Sequence, residues 1–256
     1  MRQGKNGQIR GTLKRRLMTN FLLTALIPVL IFAIISQINI QKRLKENLSD
    51  RIKSNLDTAE KNLEMVLDKY ETILYDFSTD EDVLEIVREL NENQGDREKN
   101  STSLRKKLSH ICNQFTGVEG ITIQLKTGEI MYYESLSSFS GNETWADKVE
   151  IPKIERGAVY FGDGKPVKIA DKNHYMFYIA RNITDYRIIE NFQGTVVLSV
   201  NEERIRGAIA SDIGSREYLL SDDVIVSAPD PKKIGKKLSE IQDSDCLLYT
   251  SPSPRD

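Results

Sequence analysis

The hydrophobic pattern begins with an uncharged apolar run from residue 17 to residue 40. As a helix this run measures about 36 Å, which is enough to cross a hydrocarbon core about 30 Å thick. It therefore predicts a transmembrane helix, kinked at Pro28 because proline removes one backbone donor. A cleaved signal peptide is the alternative, but the run is long for one and its end, SQINIQ, lacks a small-residue cleavage site.

The charges beside this run indicate which side of the membrane each end occupies. The segment after it mixes basic and acidic residues, whereas only basic residues precede it, at Arg2, Lys5, Arg10, Lys14, Arg15 and Arg16. Because cytoplasmic flanks carry an excess of positive charge, we expect a cytoplasmic tail over 1–16 and an extracytoplasmic chain after residue 40. The expected location is the cell membrane, with the lipid bilayer as a partner.

A long amphipathic pattern follows the apolar run. Its apolar positions recur with a mean step of about 3.7 residues, the period of one face of a straight helix, at Leu44, Leu48, Ile52, Leu56, Ala59, Leu63, Val66, Tyr70, Ile73 and Phe77. The pattern predicts a long spine helix over 41–78. The charged residues on its other face are typical of a solvated helix surface.

Two shorter helices are predicted before any strand. Residues 78–81, Ser-Thr-Asp-Glu, form a capping-box pattern that closes the spine and opens a second helix. The polar run over 91–100 predicts a loop. A third helix is expected from about Ser103 to Gly117, where glycine is a typical C-terminal signal.

From residue 121 onward the pattern changes to period two, with many β-branched and aromatic residues. It predicts a hairpin over 121–125 and 130–133, and then further strands over 158–161, 167–170, 175–183 and 194–200, with 162–166 as a turn. A short helix is expected from Asn201 to Gly214. A second hairpin follows over 218–220 and 224–228. The predicted fold class is α+β.

Composition excludes several classes of function. The formal net charge is −2, so the chain lacks the basic field that nucleic-acid binding requires. With only two cysteines and two histidines, the sequence offers no metal site, and no cofactor is expected. Motifs for nucleotide binding, serine hydrolases and zinc proteases are missing from the sequence, so we predict no catalytic residues and regard an extracellular enzyme as the weaker alternative.

The last eleven residues, 246–256, read CLLYTSPSPRD and break from the preceding composition. They are similar to the translation of a transposase-based sequencing adapter. The interpretation is that these residues are foreign and that the natural protein continues past Asp245.

The order of these elements resembles that of a double-Cache sensor. A basic tail, a membrane span with an internal proline, a long helix and then an antiparallel sheet recur in that family. The segment IARNITDYRIIENFQGTVVLSVNEERIRGAI resembles the last two strands and exit helix of the membrane-distal lobe, and EYLLSDDVIVSAPDPKKIGKKL resembles the first hairpin of the proximal lobe. The hairpin departs from the family at Asp223, where such turns commonly have glycine.

The resemblance implies a PAS-like distal lobe over 79–213 and the start of a truncated proximal lobe over 214–245, both attached to the long helix. It implies a parent of the YesM-type sensor histidine kinases, cut before the second membrane span, and a homodimer through the long helix. Membrane-bound AraC-type regulators and chemoreceptors are the alternatives within this class. A membrane-tethered structural or interaction protein is the alternative from another class.

A small polar ligand is predicted for the distal lobe. Aromatic residues concentrate in or beside its sheet, at Tyr132, Tyr133, Trp145, Tyr160, Tyr175, Phe177 and Tyr178. Aromatic walls with a few polar groups are typical of small-molecule sites, so the candidate ligand-binding residues are Tyr133, Trp145, Tyr175, Arg181 and Asp185. The arginine would bind a carboxylate and the aspartate an amine or hydroxyl. The alternatives are that the aromatics form core and that the two charged residues form a surface ion pair.

Overall fold

A computed structural model of the chain describes residues 6–135, 144–155, 157–169, 172–187, 191–210, 216–241 and 246–250. The chain divides into two compact units, Met1–Ser54 and Asn55–Asp256. Helix α1, Asn6–Thr79, contributes to both. In the first unit, the described residues are all helical.

The apolar part of α1 has the length and composition of a membrane span. One window of 18 residues has a mean hydropathy of 2.5, and none of it is buried. Pro28 lies inside this continuous helix. The division of α1 into a tail over 1–16, a span over 17–40 and a spine over 41–78 stays a prediction.

Helices α2, Glu81–Glu92, and α3, Arg97–Gln114, follow as a pair, and each begins at an aspartate. Asp80 caps α2 by accepting from the backbone N–H of Val83 at 2.9 Å. The predicted capping box therefore acts through Asp80 rather than Ser78. The predicted loop over 91–100 is also shorter than expected, because Asp96 caps α3 by accepting from the N–H of Lys99.

Five antiparallel strands form the main sheet, in the order β2-β1-β5-β4-β3. They are β1, Val118–Leu125; β2, Ile130–Glu134; β3, Val159–Ile169; β4, Lys172–Asp185; and β5, Asn191–Asn201. A short 3-10 turn, Ala146–Lys148, lies between β2 and β3. The α+β prediction is confirmed.

The turn predicted over 162–166 is wrong, because β3 runs through it with a register shift between Gly162 and Lys165. Strand β3 is at the edge of the sheet. An edge strand tolerates proline because its outward N–H has no partner to lose, and Pro166 pairs with Tyr175 within the ladder. The chain therefore reverses after residue 169.

Helices α1, α2 and α3 cover one face of this sheet, which we call the helix-facing side. Side chains from all three helices and from β1, β2, β4 and β5 form one buried cluster there, including Leu74, Val87, Leu104, Leu108, Ile121, Ile123, Ile179, Ile183, Val196 and Leu198. The opposite face, the outer side, has a smaller cluster beneath the 3-10 turn, made of Trp145, Ala146, Val149, Ile169, Met176, Ala180 and Val197.

Helix α4, Glu202–Ile209, leads from β5 to a second sheet. Asn201 caps it by accepting from the N–H of Glu203, as expected for a helix beginning there. Strands β6, Arg216–Ser221, and β7, Val224–Ser227, form a hairpin with Asp222 in the left-handed region at φ 55°. A joint cluster connects α1, α4 and this hairpin through Ala59, Leu63, Ile205, Ile209, Leu219 and Val226.

Strand β8, Cys246–Thr250, pairs in parallel with β6. Backbone hydrogen bonds form this pairing, and segments of many different sequences can make them. The pairing therefore does not test whether residues 246–256 are foreign, and that interpretation stays a prediction. The expected lobe boundary at 213–214 falls on residues outside the described ranges, as does the expected helix end at Gly214.

Candidate functional site

One row of residues crosses the whole main sheet on its outer side. Strand pairing aligns Glu134 with Gly120, Gly120 with Ser199, Ser199 with Tyr178, and Tyr178 with Gly162. Successive residues of a strand point to opposite faces, so these five belong to one face. We call them the transverse row.

The two glycines of this row leave room for aromatic rings. A Cβ atom on Gly120 would lie 2.7 Å from Cη2 of Trp145, and one on Gly162 would lie 2.8 Å from Cε1 of Tyr160. Both rings therefore lie directly on the sheet backbone. A side chain at either position would displace the ring above it.

The segment 144–152, which carries Trp145, and the residues just after it are hydrogen-bonded to polar side chains of the sheet. The backbone N–H groups of Trp145 and Ala146 donate to Oε2 of Glu134 at 3.0 and 2.9 Å. The hydroxyl of Thr122 donates to the carbonyl of Ala146 at 2.8 Å. Further along, Nδ2 of Asn182 donates to the carbonyl of Ile154. The segment is thus held at several points.

A cavity of about 560 Å³ lies between this segment and strands β3 and β4. Its walls include three aromatic rings, those of Trp145, Tyr160 and Tyr178, and three charged side chains, those of Lys148, Lys168 and Glu150. The remaining lining residues are Thr144, Val149, Pro152, Gly162, Pro166 and Val167. The volume is in the range of small-molecule sites, and the mixture of rings and charges suits an amphipathic ligand.

Three buried polar atoms near this wall have no hydrogen-bond partner among the described residues: Nε1 of Trp145, Oγ of Ser199 and Oδ1 of Asp147. Ser199 is fully buried and neighbours Gly120, the residue beneath the Trp145 ring. Buried polar groups are almost always paired, so such atoms mark places where water or a ligand completes the bonding. The indole N–H can only donate, so it requires an acceptor.

The phenol of Tyr178 remains neutral at physiological pH. Burial raises its pKa to about 12. A neutral phenol both donates and accepts hydrogen bonds, and it contributes no charge to the cavity. The charges in the cavity wall therefore come from the two lysines and Glu150.

Of the five residues predicted to bind ligand, only Trp145 lines this cavity. Tyr133 packs against the cluster on the helix-facing side. Tyr175 packs against Tyr218, Leu220 and Ile225 of the second sheet. Tyr175 and Asp185 are both on β4, but ten residues of strand separate them by about 33 Å.

The two charged candidates lie on the helix-facing side and do not pair with each other. The Arg181 guanidinium lies 5.0 Å from the ring centre of Tyr75 on α1. Asp185 is buried and accepts from Nε of Arg187 at 2.9 Å. Arg181 shares its face with Ile179 and Ile183, opposite to that of Trp145, so the structure does not bring the five residues together.

Several cavity residues were not among the candidates. Tyr160 and Tyr178 belong to the aromatic concentration in the sequence, but they are on different strands, and only the register between β3 and β4 assigns them to one face. Lys148 and Lys168 had no distinguishing signal, because lysines are common on surfaces. Glu134 and Ser199 were not predicted because the residues that they bond to or pair with are distant in the sequence. In the described part of the chain, no group of three or more metal-ligating side chains is clustered.

Comparisons with known proteins agree on the fold. A family model described as a Cache domain, dCache_1, matches residues 36–256. No curated protein matches the chain significantly. Among solved structures, the chain is similar to the sensor domain of the V. cholerae histidine kinase DctB, with 12% identity, a TM-score of 0.52 and coverage of 74% of this chain and 69% of that chain.

Two further solved structures are similar at the level of the fold. One is the extracellular domain of vpHK1S-Z8, described as a histidine kinase, with 15% identity, a TM-score of 0.52 and coverage of 74% and 73% of the two chains. The other is a domain of a protein from Vibrio parahaemolyticus described as a sensory box/GGDEF family member, with 13% identity, a TM-score of 0.50 and 74% of both chains covered. Because the family model spans most of its length, the chain belongs to the Cache-domain family and is an extracytoplasmic ligand-sensing region.

Proposed function

We propose that the outer-side cavity binds a small polar molecule that carries an anionic group, and that the chain is the sensing region of a membrane receptor. The observation that carries this proposal is a pair of buried polar atoms, Nε1 of Trp145 and Oγ of Ser199, that find no partner among the described residues. Trp145 lines a cavity of about 560 Å³. An acceptor atom of the ligand would complete the bonding of the indole N–H.

The charges of the wall favour an anionic group on the ligand. Among the described lining residues, two lysines outnumber one glutamate. A carboxylate placed near Lys148 or Lys168 would gain a charge-assisted hydrogen bond, and Glu150 would accept from an ammonium or hydroxyl group. The rings of Trp145 and Tyr178 would cover the apolar part. Amino acids and small carboxylic acids fit this description.

The remaining parts of the proposal concern topology and the parent protein. We place the basic tail in the cytoplasm and the Cache domain outside, because only basic residues precede the apolar run. The proposed parent is a YesM-type sensor histidine kinase that forms a homodimer through α1. The fold likeness to two histidine-kinase sensor domains is compatible with such a parent.

A ligand panel tests the cavity. The full chain in detergent micelles is screened by thermal unfolding against the amino acids, small dicarboxylates and neutral sugars. A ligand at about 100 times its Kd should add about 2.7 kcal/mol to the free energy of unfolding. The shift should disappear in Trp145→Ala and weaken in Lys148→Gln. The matched control is Lys126→Gln, an exposed lysine outside the cavity.

Three results would contradict the proposal. They are a panel without any shift, hits confined to neutral sugars, and a shift that survives Trp145→Ala unchanged. The last result would locate binding elsewhere in the molecule.

Protease treatment of intact cells tests the topology, because the region over 50–245 should be digested without lysis. Protection until lysis would contradict the proposed orientation.

Sequencing of the source DNA beyond the codon for Asp245 tests the proposed parent protein. A second span, a HAMP linker and a kinase core are expected; a DNA-binding or chemoreceptor output would favour the alternatives.

A further inference from the structure

The cavity wall that carries Trp145 is not part of any regular strand or long helix. Thr144, Trp145, Lys148, Val149, Glu150 and Pro152 all come from this wall, whereas the rest of the cavity lining comes from β3 and β4. The position of the indole therefore depends on what fastens residues 144–152 to the sheet.

Glu134 supplies two of these attachments with one oxygen. Its Oε2 accepts from the backbone N–H groups of both Trp145 and Ala146, and its side chain is buried at the end of β2. Hydrogen bonds to a charged acceptor are stronger than neutral ones, and burial protects them from water. Glu134 does not line the cavity itself.

Strand register places this attachment beside the space that receives the indole. Glu134 is the direct cross-strand partner of Gly120, and the Trp145 ring lies on Gly120. Thr122, which is fully buried on β1, donates a hydrogen bond from its hydroxyl to the carbonyl of Ala146. The backbone of the turn and the ring of Trp145 are therefore held by two adjacent strands.

We propose that Glu134 is a positioning residue for the sensor cavity: it fixes the indole of Trp145, and so ligand affinity, without touching the ligand. Its effect on affinity rests on the proposed function. The effect on the indole does not, because it is measured without any ligand.

Trp145 is the only tryptophan in the chain, so selective excitation reports on this wall alone. In the full chain in detergent micelles, the wild-type indole should emit at short wavelength and resist quenching by acrylamide, because it is 6% exposed. Glu134→Ala should shift the emission to longer wavelength and raise the quenching constant towards that of free tryptophan. Glu134→Gln, which keeps an acceptor oxygen, should lie between the two.

Glu202→Gln is the matched control, since Glu202 is an equally buried carboxylate whose partners, Ser227 and Arg206, lie elsewhere. It should leave the emission of Trp145 unchanged even if the melting temperature moves. If Glu134→Ala does not fold, Glu134→Gln tests the role of Glu134. Thr122→Val and Thr122→Ser test the neighbouring attachment at the carbonyl of Ala146. The valine variant should expose the indole and the serine variant, which keeps the hydroxyl, should not.

Wild-type emission and quenching in folded Glu134→Ala would overturn the positioning role of Glu134. If the alanine variant does not fold, the same result in Glu134→Gln would overturn it. For any amino acid or dicarboxylate that binds the wild type, Glu134→Ala should weaken affinity by about tenfold, the size of losing hydrogen bonds to a charged group. Undiminished affinity would overturn the link to binding. A panel without hits, together with a mobile indole in Glu134→Ala, would refute the proposed function while supporting the positioning role.

Discussion

The helix-facing side and the outer side of the main sheet are built from alternate residues of the same strands, yet they are packed differently. On β5, Val196 and Leu198 point into the large cluster beneath the three helices, whereas Val197 and Ser199 point to the outer side. The helix-facing side is filled mostly with apolar side chains, although Arg181 and Asp185 are also buried there. The outer side is covered by a short segment and keeps a cavity, and Nε1 of Trp145 in its wall has no hydrogen-bond partner among the described residues.

If the outer-side cavity binds ligand as proposed, one sheet separates the residues that stabilise the fold from those that bind the ligand. Burial of apolar area on the helix-facing side provides the main stabilisation, at about 25 cal/mol per Å². The outer side buries a smaller apolar cluster and so contributes less to stability, and its cavity has room for a ligand. Substitutions on the two sides should therefore have different consequences, even at adjacent residues.

The largest expected difference concerns two valines on β5, both fully buried and on opposite sides. Val196→Ala should lower the free energy of unfolding by about 2–3 kcal/mol, because rigid helices cannot close the space left behind. Val197→Ala should cost about 1 kcal/mol, because the short segment above it can relax. Denaturant titration followed by Trp145 fluorescence measures both. Equal losses would show that the outer side is packed as rigidly as the other.

A second substitution tests the contact beneath the indole. Gly120→Ala places a methyl group 2.7 Å from the Trp145 ring, so we expect a loss of about 1–2 kcal/mol and a more exposed indole. Gly207→Ala on α4 is the control, since nothing lies within 4 Å of its added Cβ and alanine favours a helix. If both variants unfolded at the same temperature as the wild type, the ring would not depend on the glycine.

The buried carboxylate of Asp185 should make the helix-facing side sensitive to acid. Hydrogen bonds from the Arg187 side chain lower the pKa of Asp185, although burial acts in the opposite direction. A folded pKa below the ordinary 3.8 means that its stabilisation is present at neutral pH and is lost as the pH falls below 3.8. Asp185→Asn should cost about 1 kcal/mol at neutral pH and flatten the acid limb of the stability curve. An unchanged acid limb would contradict this contribution.

Glu202, at the start of α4, should have the opposite pH dependence and the smallest effect. Burial raises its pKa above the ordinary 4.5, although hydrogen bonds from Ser227 and the charge of Arg206 act in the opposite direction. Its ionisation therefore costs stability as the pH rises from 4.5 through the folded pKa. Glu202→Gln should change the free energy of unfolding by less than about 1 kcal/mol at neutral pH and reduce this slope. If the free energy of unfolding of Glu202→Gln varied with pH in the same way as that of the wild type, the buried carboxylate would not be the cause of this slope.

Local patterns predicted most of the elements of the fold. The change from a helical to a two-residue period at residue 121 separated helices from strands, and Asn201 marked the start of α4. The misplaced turn over 162–166 had a non-local cause. Glycine and proline indicate a turn by themselves, but β3 absorbs both because it is the edge strand, and strand order is not encoded in any local window.

The candidate site was harder to predict for the same reason. Residue types pointed to Trp145, but the face of each other candidate depends on strand register and on which side the helices cover. Arg181 and Trp145 both belong to the predicted distal lobe and were both candidates, yet they lie on opposite sides of the sheet. Glu134 bonds to the backbone of Trp145 and Ala146, which are more than ten residues away, so no local pattern identifies it.

Strand β3 forms one wall of the cavity and is also an open edge of the sheet, which has a consequence for solubility. An open edge presents unpaired backbone groups that can recruit strands from other molecules and so start aggregation. Pro166 contributes no backbone N–H to this edge, and the register shift between Gly162 and Lys165 interrupts the regular spacing of the other backbone N–H and C=O groups of β3. These irregularities, which accompany the shape of the cavity wall, also make β3 a poor template for intermolecular β-sheet.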